Sequence, residues 1–321
     1  MGHLMRCLAL AQFFKEQGHA CHFYSHDLGG QLVDLIQKRG HGFTRLKELH
    51  EVPEADAPWL VVDHYHLDEP WETEANRRFP HLLVIDDLAN RPHQCQLLVD
   101  QNYFEEFEKR YDPWIPPETQ RFLGPRYAII HPRYLALTGR RERGSAKADH
   151  FFVSFGGADA NGQTEKAIRA LKRLELPSLE FTVMVGGLNE RRERVLEEVG
   201  GDPRFVIPSP TYDLSEIFER VDMALIAGGS TTWELCYLGI PVLSMSCADN
   251  QKKFSEDFST TGAIDYLGWW EDVSEDLLHE RLLHLLETPS HREELSIAAR
   301  DQVDGKGVMR IHQAMTSQGE E

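Results

Sequence analysis

The sequence predicts an α/β protein made of two successive Rossmann-like halves. Three observations predict it: short apolar runs alternate with helical periods, the alternation restarts after a charged interruption at residues 137–149, and Gly or Asp comes after several of the apolar runs. Strands that alternate with helices build a parallel sheet, and groups on the loops after strand ends then face the ligand side.

Taken in order, Leu4, Leu8, Ala11 and Phe14 recur at helical spacing and Gly18 stops the pattern, so residues 1–17 form almost entirely one helix. Residues 20–25 read as a strand, 31–38 as a helix, 42–46 as a short strand, and 59–62 as a buried strand running into Asp63-His64-Tyr65. Next come a helix at 69–78 and a buried strand at 82–85, ending in Asp86-Asp87. Asp63, Tyr65, Asp86 and Asp87 thus share one rim. Residues 97–100 and 127–130 are read as further strands, and the Pro-rich, aromatic segment between them carries no clear period. After the linker come a strand at 151–155 leading into Gly156-Gly157-Ala158-Asp159, a helix at 164–174, a strand at 181–185, a helix at 190–199, a strand at 205–207 and a short helix at 214–218. The tail, 274–314, shows three helical patterns. The expected domains are 1–140 and 150–321, the second carrying this tail.

The most informative stretch is residues 223–246, MALIAGGSTTWELCYLGIPVLSMS. It reads as a buried strand, a Gly228-Gly229 turn, a helix capped by Ser230 or Thr231 and ended by Gly239, and a strand after Pro241. The first-turn N–H groups of such a helix have no partners inside it, and the aligned peptide dipoles add positive potential, so an anion is held without Lys or Arg. Two glycines let a phosphate approach the main chain. Glu234, about one turn further in, is placed to accept from both hydroxyls of a ribose. The same pattern opens many helices that bind nothing. The functional reading is a nucleotide diphosphate cradle.

Composition narrows the partners. The 34 basic and 52 acidic side chains give a formal net charge of −18, which repels nucleic acid and anionic membrane surfaces at long range. No apolar stretch approaches the roughly 20 residues that span a bilayer, and the opening LMRCLALAQFF is broken by Arg6 and lacks a small-residue cleavage site. Cys7, Cys21, Cys95, Cys236 and Cys247 show no metal-type spacing and suit a reducing compartment. A cytoplasmic monomer without cofactor or metal is expected.

Four stretches stand together: GHLMRCLALA from Gly2, Val62-Asp63-His64-Tyr65, Phe155-Gly156-Gly157-Ala158-Asp159, and residues 227–234 with 248–251. In this order they resemble the nucleotide-sugar hydrolases of pseudaminic acid biosynthesis, which act on UDP-2,4-diacetamido-2,4,6-trideoxy-β-L-altropyranose, and the related SpsG-like spore-coat polysaccharide proteins. The resemblance implies the GT-B fold shared with MurG-type glycosyltransferases: two domains facing across a cleft, UDP held mainly by the second, and UDP released by water attack at the sugar C1 with inversion. It makes His3 the candidate base and puts Asp63 and Tyr65 on the sugar side. It assigns Gly228, Gly229, Ser230, Thr231 and Glu234 to diphosphate and ribose, and Asn250 and Gln251 to the segment that closes over the sugar. In such proteins a strand and a Gly-x-Gly-His turn precede the first helix, whereas here Met1 stands directly before Gly2-His3. The first strand is therefore expected to be missing, with Met1 the x of that turn. Omitting a central parallel strand leaves its neighbours' ladder groups unpaired, at a cost beyond a domain's marginal stability.

The chemistry is simple. A glycosyl diphosphate carries a good leaving group, so the reaction needs charge stabilisation on departing UDP and a base for water, and imidazoles titrate close to neutrality. Asp63 is read as orienting Tyr65 or His3, and Tyr65 as a donor to a sugar N-acetyl group or as plain packing. Gly156 and Gly157 bring backbone donors near the phosphate, with Asp159 as a turn residue. Arg6, one turn from His3, touches phosphate or pairs with an acid. Asp63, Asp86 and Asp87 could gather around Mg²⁺, although Asp at a strand end commonly caps the next helix, the preferred reading of Asp86 and Asp87. Trp233, Trp269 and Trp270 are read as core or domain-contact residues. A GT-B glycosyltransferase of surface polysaccharide synthesis, or an inactive truncated nucleotide-sugar-binding protein, are the competing functions.

Overall fold

The computed structural model describes residues 2–137, 148–187 and 189–318, so the expected linker lies mostly outside the described residues. The chain divides into two compact units, Met1–Pro132 with Gly305–Glu321, and Arg133–Asp304.

In the first unit the order is α1 (Gly2–Glu16), β1 (His22–Ser25), α2 (Gly30–Lys38), β2 (Gly42–Arg45), β3 (Trp59–Val62), α3 (Glu69–Ala75), β4 (His81–Ile85), β5 (Leu97–Asp100) and β6 (Gln120–Leu123). β3-β4-β5-β6 form one parallel sheet, and β1-β2 form a separate parallel pair. β4 and β5 are continuous apolar runs because both of their faces are covered. Leu83, Ile85, Leu97 and Val99 pack with Ala9 and Leu10 of α1, while Leu82, Val84 and Leu98 pack with Trp71 and Ala75 of α3. Asp68 caps α3 by accepting the Trp71 amide at 3.3 Å.

The expected strand at 127–130 is corrected. The strand lies upstream, as β6, and the apolar residues 128–130 are buried in irregular chain leading to α4 (Pro132–Leu135). Gly124, at φ 92°, turns the chain, a 3₁₀ turn covers Pro125–Tyr127, and the Ile129 amide is spent on Gln101 Oε1 at 3.0 Å. Burial there is set by tertiary packing, which a short apolar run does not reveal.

The second unit continues with β7 (His150–Ser154), α5 (Gln163–Lys172), β8 (Glu180–Met184), α6 (Arg192–Val199), β9 (Phe205–Val206), α7 (Ser215–Phe218), β10 (Met223–Ala227), α8 (Thr231–Leu238), β11 (Val242–Ser246), α9 (Asp249–Ser259), β12 (Asp265–Trp269), α10 (Glu275–Glu287) and α11 (Pro289–Gln302). Its six strands are parallel, in the order β12-β11-β10-β7-β8-β9. β7, β8 and β9 proceed to one side, and the chain then returns to place β10 on the other side of β7. The β7/β10 boundary is therefore the topological switch point, where ligands of open α/β sheets bind.

The helical tail divides. α10 and α11 stay with the second unit, but α12 (Gly307–Gln318) belongs to the first, a change from the grouping expected at 150–321. Trp59 Nε1 donates to the Met315 carbonyl at 3.0 Å, and Arg310 Nη1 donates to that of Arg126 at 2.7 Å. A Cβ on Gly307 would come 2.3 Å from the Ala128 carbonyl oxygen, so only glycine admits this approach. The amphipathic pattern of α12 announces a helix; it does not say which core the helix covers.

Candidate functional site

In the second unit the sequence-predicted cradle falls on the switch point. β10 ends at Ala227, Gly228-Gly229 turn the chain, and α8 begins at Thr231. Ser230 occupies the N-cap position, yet its side chain makes no capping bond. The N–H groups of Gly229, Ser230 and Thr231 therefore bind no acceptor among the described residues, whereas those of Thr232 and Trp233 already reach the carbonyls of Gly229 and Ser230. Three amides without an acceptor at a helix start are an arrangement that can receive an anion. A Cβ on Gly229 would meet open space, while one on Gly228 would lie 2.3 Å from Ser255 Oγ, so Gly228 also lets α9 pack against the turn. Across the switch point, Gly156 (φ 84°) and Gly157 follow β7 after Phe155, with open space where a Cβ would stand.

Glu234 carries the clearest electrostatic signature. Burial pushes its carboxyl up to about 8, against the pull of the Arg133 guanidinium, which itself pairs with Asp213 at 2.7 Å. No hydrogen bond or ion pair engages the Glu234 carboxyl among the described residues. Such a group gains from a ligand that donates to it. Nearby, the buried Thr232 Oγ1 and Ser255 Oγ also lack partners.

The first unit gathers a charged cluster at the start of α1. His3 Nδ1 lies 2.5 Å from Asp63 Oδ1. Arg6, one turn on, grips Asp63 with both ends of its guanidinium, Nε to Oδ2 and Nη2 to Oδ1, each at 2.6 Å, and its Nη1 reaches Asp87 Oδ2 at 3.0 Å. Burial would raise the Asp63 carboxyl, but the Arg6 and His3 hydrogen bonds outweigh it and hold it down at about 2. An ionised carboxylate accepts, so Nδ1 of His3 is the donor, and in the neutral ring that tautomer leaves the lone pair on Nε2. Tyr65 meets the imidazole edge-on, centroids 4.5 Å apart, and its phenol is raised by burial and by Asp87.

The other singled-out residues take up the following partners. Arg6, expected as a contact to substrate phosphate or a partner for an acid, is buried and its donors are spent on the two aspartates, so it acts as the brace of the cluster. Asp159 accepts the amides of Gln163 and Thr164, each at 2.9 Å, and thereby caps α5. Gln251 turns its Oε1 back onto the amides of Cys247 and Ala248, at 2.9 and 3.1 Å, which fixes the start of α9, while Asn250 is exposed. Asp86 accepts the amides of Leu88 and Ala89 and pairs with Arg91 at 2.6 Å, a turn-capping role. Asp87, read as a similar cap, instead joins the Arg6 cluster. Asp63 and Asp87 face a guanidinium, and among the described residues no group of three or more His, Cys, Asp or Glu side chains is arranged to hold a metal. The sequence reading placed Asp87 on the rim but missed its pairing with Arg6, and it missed Thr232, Arg133 and Ser255; His and Arg three apart at a helix start, beside strand-end aspartates, is the signal that could have found that pairing.

Parallel sheets in both units, with polar loops at the carboxyl ends of their strands, place the chain in the GT-B fold class. MurG of Acinetobacter baumannii matches with a TM-score of 0.66 at 16% identity, over 98% of this chain and 96% of that chain. The UDP co-structure of Staphylococcus aureus MnaA matches with a TM-score of 0.65 at 10% identity, over 99% and 94%. In sequence, the chain is 26% identical over 325 residues to the spore coat polysaccharide biosynthesis protein SpsG of Bacillus subtilis, an alignment covering 97% of this chain and 92% of that protein. No protein-family model matches the chain. Among the described residues, no helix is long and apolar enough to cross a membrane.

Proposed function

We propose that the protein is a UDP-sugar hydrolase of polysaccharide biosynthesis, acting on UDP-2,4-diacetamido-2,4,6-trideoxy-β-L-altropyranose. The observation that carries this reading is the 2.5 Å pair between His3 Nδ1 and Asp63 Oδ1, which aims a lone pair at Nε2 with the ring's orientation fixed. Water attacks the anomeric carbon, His3 Nε2 takes its proton, the C1–O bond breaks, and UDP departs with the electron pair; attack opposite the leaving group inverts C1. The free amides of Gly229, Ser230 and Thr231 receive the diphosphate charge, and Glu234 accepts from the ribose hydroxyls. The likeness to SpsG supports polysaccharide biosynthesis as the setting, and the UDP-bound fold relative supports the nucleotide.

Incubation with the UDP-sugar alone should release UDP without any acceptor. His3→Ala should cut the rate by about 10²–10⁴-fold while UDP still binds; an unchanged rate removes His3 from the mechanism. The fold likeness to MurG also favours a second reading, a glycosyltransferase. In that case UDP appears only once an acceptor hydroxyl is supplied.

A further inference from the structure

The turn that carries Tyr65 is held by a residue outside the reacting cluster. Residues 63–67 run from the end of β3 to the Asp68 cap of α3 and lie outside helix and strand, so no sheet ladder fixes their path. That task falls to Arg91, on the loop after β4. Its guanidinium reaches three acceptors at once: Nη2 donates to the His64 carbonyl at 3.1 Å, Nε to the Leu67 carbonyl at 3.2 Å, and Nη1 to Asp86 Oδ1 at 2.6 Å. The two carbonyls bracket the turn, and Tyr65 stands between them.

The anchor for this grip is rigid. Asp86 comes directly after β4, is fully buried, and also accepts the Leu88 and Ala89 amides and the Tyr111 hydroxyl, the last at 2.9 Å. Burial would raise its carboxyl, but His93, the Ala89 amide and Arg91 outweigh burial and hold it well below the usual carboxylate range. The guanidinium therefore faces a permanent anion. Further along the same loop, His93 Nδ1 meets Glu72 Oε1 at 2.7 Å, and the Gln94 amide donates to Glu72 Oε2 at 2.6 Å. Glu72 belongs to α3 and its side chain, like that of His93, is fully buried. The loop bearing Arg91 is thus tied at one end to β4 and at the other to α3, so the position of the guanidinium is set by the core before any ligand arrives.

We infer that Arg91 is a positioning residue for the site at the start of α1: it acts through the backbone of residues 64–67 to hold Tyr65 edge-on against His3. Its bearing on catalysis rests on the hydrolase reading of His3; the grip on Tyr65 does not. Arg6 and Arg91 divide the work, for Arg6 spends its donors on the carboxylates of Asp63 and Asp87, whereas Arg91 holds the main chain of the turn. Only a forked cation fits this place. A lysine would still neutralise Asp86, but one ammonium on a flexible stem does not present the planar fork that joins a carboxylate to two carbonyls.

The test is Arg91→Lys, because Arg91→Ala would strand Asp86 as an unpaired buried anion and endanger the fold itself. With ring-labelled His and Tyr, NMR measures cross-relaxation between the ring protons of His3 and Tyr65, whose centroids stand 4.5 Å apart. Hydrolysis of the UDP-sugar, UDP binding and thermal melting are followed beside it, with His3→Ala in parallel. Arg91→Lys should lose most of the cross-relaxation and lower kcat by about 10–100-fold, with UDP affinity unchanged. An intact ring contact in Arg91→Lys overturns the inference, whatever happens to melting, since a merely structural role lowers stability without moving the rings of the folded protein. So does a kcat that Arg91→Lys leaves unmoved where His3→Ala lowers it. If His3→Ala leaves the rate unmoved, the hydrolase reading fails, and the ring contact alone then decides: its loss in Arg91→Lys upholds the grip on Tyr65, and its persistence overturns it.

Discussion

The two candidate sites treat charge in opposite ways. At the start of α1 each ionised group faces an opposite one: Asp63 is held by Arg6 and His3, and Asp87 by Arg6. At the start of α8 three amides, the Thr232 hydroxyl and the Glu234 carboxyl remain without partners among the described residues. The first arrangement immobilises the His3 imidazole before anything binds, as the proposed general-base role requires. The second keeps groups open that a bound ligand would satisfy, as the proposed UDP site requires. A braced site should therefore fail through stability when its brace is removed. An open site should gain stability when its unpaired group is neutralised.

The largest effect tests the brace. Arg6→Ala leaves Asp63 and Asp87 in place without their shared cation and should destabilise the first unit by about 3–5 kcal/mol, measured by denaturant melting. Lys presents one ammonium in place of the fork, so Arg6→Lys should recover only part of this. UDP binding to the folded protein should be unchanged by either. A loss below about 0.5 kcal/mol would reduce the cluster to a surface ion pair.

The same division governs how much the sequence disclosed. The cradle is local: a strand, two glycines and a helix start lie within consecutive residues 223–234, so that stretch carries its geometry directly, and the switch point comes from the alternation of elements. The brace is assembled from three separate segments, with Arg6 and Asp87 81 positions apart, and no local pattern says that Arg6 turns toward Asp63 and Asp87 and away from a ligand. β12 went unread and α12 was grouped with the wrong unit for related reasons. DYLGW mixes charged, apolar and glycine residues without alternation, and the residues that α12 meets, Trp59 and Arg126, stand 256 and 184 positions before their partners.

Neutralising Glu234 tests the open site. Its carboxyl titrates at about 8 in the folded protein against an ordinary value of 4.5. Between those values the native state holds the proton more tightly than the unfolded chain does. Stability therefore falls as pH rises from 4.5 to 8, and the penalty is complete above 8. Glu234→Gln should remove this slope and raise stability at pH 8 by about 2 kcal/mol, a value reduced for the residue's partial exposure. The same change should weaken UDP about tenfold. Greater stability with unaltered UDP affinity would show that Glu234 is strained for some purpose other than the ribose.

The smallest effect separates capping from binding at Asp159. Its two oxygens hold the first amides of α5, and its backbone sits at φ 40°, a conformation that Asn shares and Ala resists. Asp159→Ala should cost about 1–2 kcal/mol in thermal or denaturant melting of the second unit. Asp159→Asn should restore most of it, because Asn also caps and tolerates the positive φ. Burial raises the Asp159 carboxyl, so the neutral amide meets no added desolvation cost. UDP affinity should be equal in all three proteins. Weaker UDP binding in both variants, with stability unmoved, would transfer Asp159 from the framework of the second unit to its open site.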